Sequence, residues 1–287
     1  MRPPHISHAG EAPLIEDWNL LFRIYTPYNV PMETAWSIFF FVFGAIIGSF
    51  LNVIADRLPQ DKSIVTPPSR CPGCHRRLSA ADLIPVLSWL VLRGRCRTCG
   101  QKIPARVLWV ELVTGLAFAY LFLHFGMTPV LWVSLLYAAF TIVIFIIDME
   151  HQLILNNILL PAMAAALAVS LFSNQIELAP TLLNAVIGAV AGFGIFLIVY
   201  VVSRGGMGEG DVKLGALAGL ITGWPNIIVA VIMSWIASGL VAIGLLALRR
   251  KGRREAIAFG PFLALSMFIT FLWGTTLIDW YLGLFLN

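Results

Sequence analysis

Stretches free of Asp, Glu, Lys and Arg alternate with short charged segments along this 287-residue chain. The uncharged runs cover residues 34–55, 129–147, 152–176, 178–203, 214–248 and 256–278. A further apolar run, 107–125, is interrupted only by Glu111. A helix needs about 20 apolar residues to cross a bilayer, so each run predicts a membrane helix. Run 214–248 is too long for one, and Thr222-Gly-Trp-Pro-Asn226 interrupts it. It predicts a short helix near 211–222 and a full one near 226–248. The pattern describes an all-α polytopic membrane protein with about eight transmembrane helices.

Composition agrees with the pattern. Hydrophobic residues make up 59% of the chain and charged residues 12%, against about 25% charged in soluble domains. The first 30 residues lack the basic segment and apolar core of a signal peptide. They predict a soluble or interfacial tail, with Trp18 and Phe22 near the headgroups. Of the 19 Lys and Arg, ten lie between Arg57 and Arg106, five within Arg249-Arg-Lys-Gly-Arg-Arg254, and two more are Arg204 and Lys213. An eight-helix arrangement puts all of these on one side, which the positive-inside rule makes cytoplasmic with both termini outside. The net charge of +4 is then a topology signal that suits anionic lipid and calls for no nucleic acid. The expected organisation is a tail at 1–33, a first membrane helix at 34–57, a cytoplasmic loop domain at 58–105 and a membrane helical core at 106–287.

All four cysteines fall in that loop, as Cys71-Pro-Gly-Cys74 and Cys96-Arg-Thr-Cys99. Two C-x2-C turns can complete a tetrahedron of thiolates around one zinc ion, and four ligands leave no open position for catalysis. A reducing compartment disfavours disulfides. The expectation is a structural zinc site with Gly73 and Gly100 in tight knuckles, organising a segment too short for much core of its own.

Acidic residues at the edge of apolar runs are the other candidates, because a charge at membrane depth is costly unless it has a task. Asp148 ends the run 129–147, at the helix end whose macrodipole opposes it. Asp211 follows the glycine-rich break Gly205-Gly-Met-Gly-Glu-Gly-Asp211. Asp is also a favoured helix N-cap, so Asp211 alone is weak evidence. Irregular, glycine-rich backbone at membrane depth is tolerated where it is buried or lines a cavity. Two neighbouring carboxylates share a proton, which makes a general acid and a general base from one pair. These two predict an intramembrane aspartic protease. Glu111, inside an apolar run, must pair, protonate or face a cavity. Ser49 and Asn52 on the first helix are either functional or interhelical hydrogen-bond partners.

In combination these residues resemble the bacterial type IV prepilin peptidases, bifunctional leader peptidases and N-methyltransferases of the GxGD aspartic protease type. The resemblance runs through Gly48-Ser-Phe-Leu-Asn-Val53, Arg57-Leu-Pro59, both C-x2-C pairs, Glu111-Leu-Val-Thr-Gly115, Asp148-Met-Glu-His-Gln-Leu-Ile154 and Gly206-Met-Gly-Glu-Gly-Asp-Val-Lys213. It covers roughly residues 36 to 280. It implies an enzyme of the bacterial inner membrane, with its active site facing the cytoplasm. Such an enzyme cuts the short basic leader from prepilins and pseudopilins after a glycine, then methylates the new N-terminal amine with S-adenosylmethionine. Asp148 and Asp211 carry over as the catalytic pair, with Gly208 and Gly210 as the substrate-positioning backbone. Glu111, Asn52 and Ser49 carry over as methyltransferase candidates. The chain departs from the family where Leu155 stands in place of the usual proline, and at Val107-Leu-Trp-Val110. Two other classes compete: a cation- or proton-coupled transporter using Asp148 and Asp211, and a non-catalytic scaffold whose zinc loop docks a partner.

Overall fold

The computed structural model describes residues 30–204, 206–248 and 258–285. The tail up to residue 29, Gly205 and the basic run 249–254 lie outside the described residues. Among the described residues, nine α-helices follow one another: α1 Val30–Arg57, α2 Leu87–Val91, α3 Ala105–Phe125, α4 Pro129–His151, α5 Asn156–Leu171, α6 Leu182–Ser203, α7 Glu209–Thr222, α8 Asn226–Ala247 and α9 Gly260–Phe285. Among the described residues there is no strand. Extended pairing is limited to two isolated bridges, Arg70 with Arg77 and Arg95 with Lys102.

The boundaries follow local chemistry. Pro129 opens α4 in the first turn, where its missing N–H costs nothing. Gln152 closes α4 in the left-handed conformation, its N–H donating to the Asp148 carbonyl at 3.0 Å. Gly126 closes α3 at positive φ. Gly223, also at positive φ, ends α7 where the sequence places the break.

Among the described residues, six helices are long and apolar enough to cross a membrane. The other two of the eight expected apolar helices are shorter, α5 with 16 residues and α7 with 14. At 1.5 Å per residue they reach about 24 and 21 Å, short of the roughly 30 Å hydrocarbon core. Run 152–176 yields the shorter helix because the extended Leu155 caps its start and its end turns into the 3₁₀ segment Ser173–Gln175.

Packing sorts the helices into two groups that meet at α4. In one, α1 lies along α3. A Cβ at Gly44 would come within 2.6 Å of the Thr114 carbonyl oxygen, so glycine sets that helix separation. In the other, α7 is enclosed by α5, α6, α8 and α9 and is buried from Val212 to Thr222 on nearly every face. Its contact with α6 is backbone on backbone: a Cβ at Gly219 would lie 2.0 Å from the Gly188 carbonyl oxygen. Helix α4 touches α1 and α3 on one side and α5 and α9 on the other. Its C-terminus is therefore held from both groups.

Candidate functional site

Three assemblies of polar residues stand out, and the cysteine loop is the simplest. Its two knuckles repeat one hydrogen-bond pattern. Cys71 N–H donates to the Arg76 carbonyl and His75 N–H to that of Cys71; Cys96 N–H donates to Gln101 and Gly100 N–H to Cys96. The four sulfurs lie within 4.8 Å of one another, with Cys71 and Cys99 3.6 Å apart and Cys74 and Cys96 4.0 Å apart. Zn–S bonds of about 2.3 Å in a tetrahedron put sulfurs about 3.8 Å apart, so the cluster fits a metal such as zinc. Backbone N–H groups of Cys74 and Gly73 lower the Cys71 thiol, and those of Cys99 and Thr98 lower Cys96 to about 6. Thiolates are the metal-binding form. The left-handed positions of the two knuckles are His75 and Gly100. Asp82 fastens the loop. It takes hydrogen bonds from the Ser79 hydroxyl (2.8 Å) and backbone (3.1 Å), and ion pairs with Arg76 (2.8 Å) and Arg97 (3.0 Å). Ser79 first, then Arg76, hold its carboxyl well below the usual range.

The carboxylates form the second assembly. Asp148 sits in the last turn of α4, 5% exposed. Asp211 sits in the first turn of α7, behind Gly208, which takes the N-cap position that sequence reading weighed for the aspartate. Asp211 lies close enough to Asp148 for their charges to act on one another. A third element closes the site. The backbone N–H of Gly260, first residue of α9, hydrogen-bonds the Asp148 carboxyl. A Cβ at Gly260 would sit 2.6 Å from Asp148 Oδ2. An acid at the unfavourable end of its own helix thus rests against the favourable end of another. Asp148 Oδ2 itself has no hydrogen-bond partner among the described residues. Ile154 wedges the group, lying 2.9 Å from a Cβ at Gly210 and 3.3 Å from one at Gly260. Gly208 is exposed, and a Cβ there would make ordinary contact with Asp211 at 3.5 Å. Lys213, two residues on, reaches the Asn156 side chain at 3.4 Å and Glu209 at 3.9 Å. Gly260 and Ile154 were not singled out from sequence. Gly260-Pro261 before an apolar run is a helix-start signal, but nothing local says that the helix starts at Asp148.

The third assembly gathers Ser49, Asn52 and Glu111. They line one cavity of about 390 Å³ between α1, α3 and the cysteine loop. Glu111 is buried and accepts the Val86 N–H at 2.7 Å and a Ser49 hydrogen bond. It pairs with backbone and hydroxyl rather than with a loop arginine. Asn52 Nδ2 bridges the Gly48 carbonyl on its own helix (3.2 Å) and that of Val107 on α3 (3.3 Å), so part of its task is interhelical. Its Oδ1 has no partner. Neither do Arg76 Nε, Trp89 Nε1 and Arg106 Nε, and all four residues line this cavity. Burying a polar atom unpaired costs about 1–3 kcal/mol, so these atoms call for partners that ordered water or a ligand in the cavity can supply. Arg106 also reaches out of the cavity: it ion-pairs with Asp56 at the end of α1 and with Glu150 at the end of α4.

Comparison with known proteins bears on both halves. A model described as the bacterial peptidase A24 N-terminal domain matches residues 42–125. One described as the type IV leader peptidase family matches residues 135–243. A Bacillus subtilis (strain 168) protein named prepilin leader peptidase/N-methyltransferase is 32% identical over 250 residues, spanning 86% of this chain and 98% of its own. An Aeromonas hydrophila protein of the same name is 33% identical over 275 residues, 86% of this chain and 93% of its own. One from Myxococcus xanthus (strain DK1622) is 36% identical over 225 residues, 76% and 66% respectively. No solved structure matches the chain.

Proposed function

The chain belongs to the type IV leader peptidase family, and from that premise we propose a multi-pass bacterial membrane enzyme that removes the leader from prepilins and pseudopilins and then methylates the exposed N-terminal amine. The meeting of α4's end with α7's start, which puts Asp148 beside Asp211, carries the peptidase reading. Between them the two carboxyls hold one proton. The ionised one takes a proton from water as the water oxygen attacks the scissile carbonyl carbon. The protonated one delivers its proton to the departing nitrogen, leaving an acid on the leader and a free amine on the pilin. The pair titrates as a unit, so neither role belongs to one residue. Gly208 and Gly210 present backbone without side chains beside the pair, suiting an extended substrate strand. Cleavage is after a glycine.

The loop, both aspartates and the basic segments face the cytoplasm, with both termini outside. The chain divides into the tail at 1–33, the first helix at 34–57, the loop domain at 58–105 and the core at 106–287. Cys71, Cys74, Cys96 and Cys99 hold zinc as a structural ion that fixes the loop over α1 and α3. S-adenosylmethionine, when bound, supplies an electrophilic methyl group on sulfur, and Glu111, Asn52 and Ser49 belong to its half of the molecule. A transporter using the same aspartates finds no support among the relatives, and a non-catalytic scaffold leaves the paired acids without a task.

The test is mass spectrometry of a prepilin-like substrate incubated with purified enzyme. Leader loss and a one-methyl gain are separate readouts. Asp148→Asn and Asp211→Asn should each lower cleavage by about 10⁴-fold or more, because members of a catalytic unit fail singly almost as badly as together. Substantial cleavage by either variant removes that residue from the mechanism.

A further inference from the structure

The cysteine loop leaves a row of apolar side chains uncovered by protein: Leu83, Ile84, Leu87, Leu90 and Val91, the last 77% exposed. Leu87, Leu90 and Val91 stand at i, i+3 and i+4 and share one face of α2. Ser88, Trp89 and Leu92 turn the other way and line the cavity beside Glu111. A contiguous apolar face of this kind marks an interaction surface.

Depth identifies what meets it. Asp56 near the end of α1 and Arg106 at the start of α3 form an ion pair, which sets the charged ends of two membrane-crossing helices at one level. Ser49 lies seven residues before Asp56 and Glu111 five after Arg106. Both are thus inside the apolar runs, about 10 and 8 Å along their helices from the charges. Ser49 hydrogen-bonds Glu111, and the Val86 N–H donates to the same carboxylate at 2.7 Å. Val86 immediately precedes α2. The loop therefore descends past the charged level, and Glu111 holds it there. Helices lying in a membrane interface bury their apolar face to about 5–10 Å, which is this depth. Arg93, exposed and two residues beyond α2, has a stem long enough to return its guanidinium to the headgroups.

We propose that residues 83–91 form a wedge inserted into the leaflet on the loop's side of the membrane, and that the partner of this surface is phospholipid. Leu83, Ile84, Leu87, Leu90 and Val91 lie among acyl chains, and Arg93 meets headgroup phosphates. The wedge stands between lipid and Glu111. A carboxyl at that depth on a membrane helix is costly when it faces hydrocarbon. The wedge replaces hydrocarbon there with the Val86 donor, Ser88 and Trp89.

Hydroxyl-radical footprinting of the full-length, metal-bound protein in nanodiscs of phosphatidylethanolamine and phosphatidylglycerol reads the wedge without any variant. Val65 and Val91 are a matched pair, the same side chain in the same loop, 78% and 77% exposed. Val65 stays near the charged level, two residues past Ser63, whose carbonyl accepts a hydrogen bond from Arg57. The expected result is loss of labelling at Leu87, Leu90 and Val91 while Val65 is labelled. Equal labelling of the two valines overturns the wedge. Phospholipid with a photoreactive group near the carboxyl end of one acyl chain then identifies the cover. Lipid attached to the peptide containing Leu87–Val91 is expected. Protection of that peptide without lipid attachment, or its crosslinking to a second protein molecule, overturns lipid as the partner.

Discussion

Asp148 shows how much one side chain depends on residues far along the chain. Its own helix offers it nothing, since it lies where the carbonyl ends gather; the Gly260 N–H supplies what is missing. A side chain at 260 must push the Asp148 carboxyl aside, because its first carbon would sit 2.6 Å from Asp148 Oδ2. Gly260→Ala should displace the carboxyl by a fraction of an ångström to an ångström, a misplacement that costs about 10²-fold in rate. Cleavage kinetics on a prepilin peptide should show that loss while methylation of a pre-cleaved peptide continues. Undiminished cleavage would mean that the carboxyl has room the geometry denies it. The sequence made Asp148, Asp211 and the four cysteines legible because charge in apolar surroundings and C-x2-C spacing are local signals. Gly260, Ile154 and Trp89 were illegible for the opposite reason: each matters only through a contact made by chain distant in sequence.

At the level of elements, apolar run length predicted about eight crossing helices, of which six among the described residues are long enough, and it placed the break before Asn226 where α7 ends. It overestimated α5, since an uncharged run includes the extended and 3₁₀ residues that flank a helix. The cysteine loop is the element least able to stand alone. Leu83, Ile84, Leu87, Leu90 and Val91 are all exposed, so apolar burial contributes little, and its order rests on the knuckles and Asp82. Structural zinc contributes about 10–16 kcal/mol in isolated finger peptides, far more than the Asp82 ion pairs, whose arginines are partly exposed and worth about 1 kcal/mol or less. Chelation, or changing Cys71 and Cys74 together to Ser, should therefore make the segment 58–103 sensitive to protease and abolish methylation. Leader cleavage, seated on α4, α7 and α9, should fall much less. Metal analysis finding no ion, with the segment still resistant to protease, would refute the metal's structural role.

Across the whole molecule, Arg106 is the direct side-chain connection between the cavity and the end of α4, joining Asp56 and Glu150 through one guanidinium. Both acids are substantially exposed, so the pairs contribute under about 1 kcal/mol to stability. Glu150→Gln frees Arg106 on the peptidase side without touching the cavity lining. It should reduce affinity for S-adenosylhomocysteine by up to about fivefold, with melting almost unchanged; a calorimetric titration identical to wild type would show that the two halves work independently. A different consequence follows from the shortness of α5 and α7. Helix α7, about 21 Å long, is enclosed by its neighbours, but α5, about 24 Å long and partly exposed, presents lipid with a span shorter than the hydrocarbon core near the aspartates. Lipid must thin there or water must dip in, at a cost of fractions of a kcal/mol per ångström of mismatch. The scissile bond then need not be lifted out of the membrane to meet water, because the membrane surface descends to it. Leader cleavage by protein reconstituted in bilayers should therefore quicken as the acyl chains shorten, and rates independent of chain length would refute the thinning.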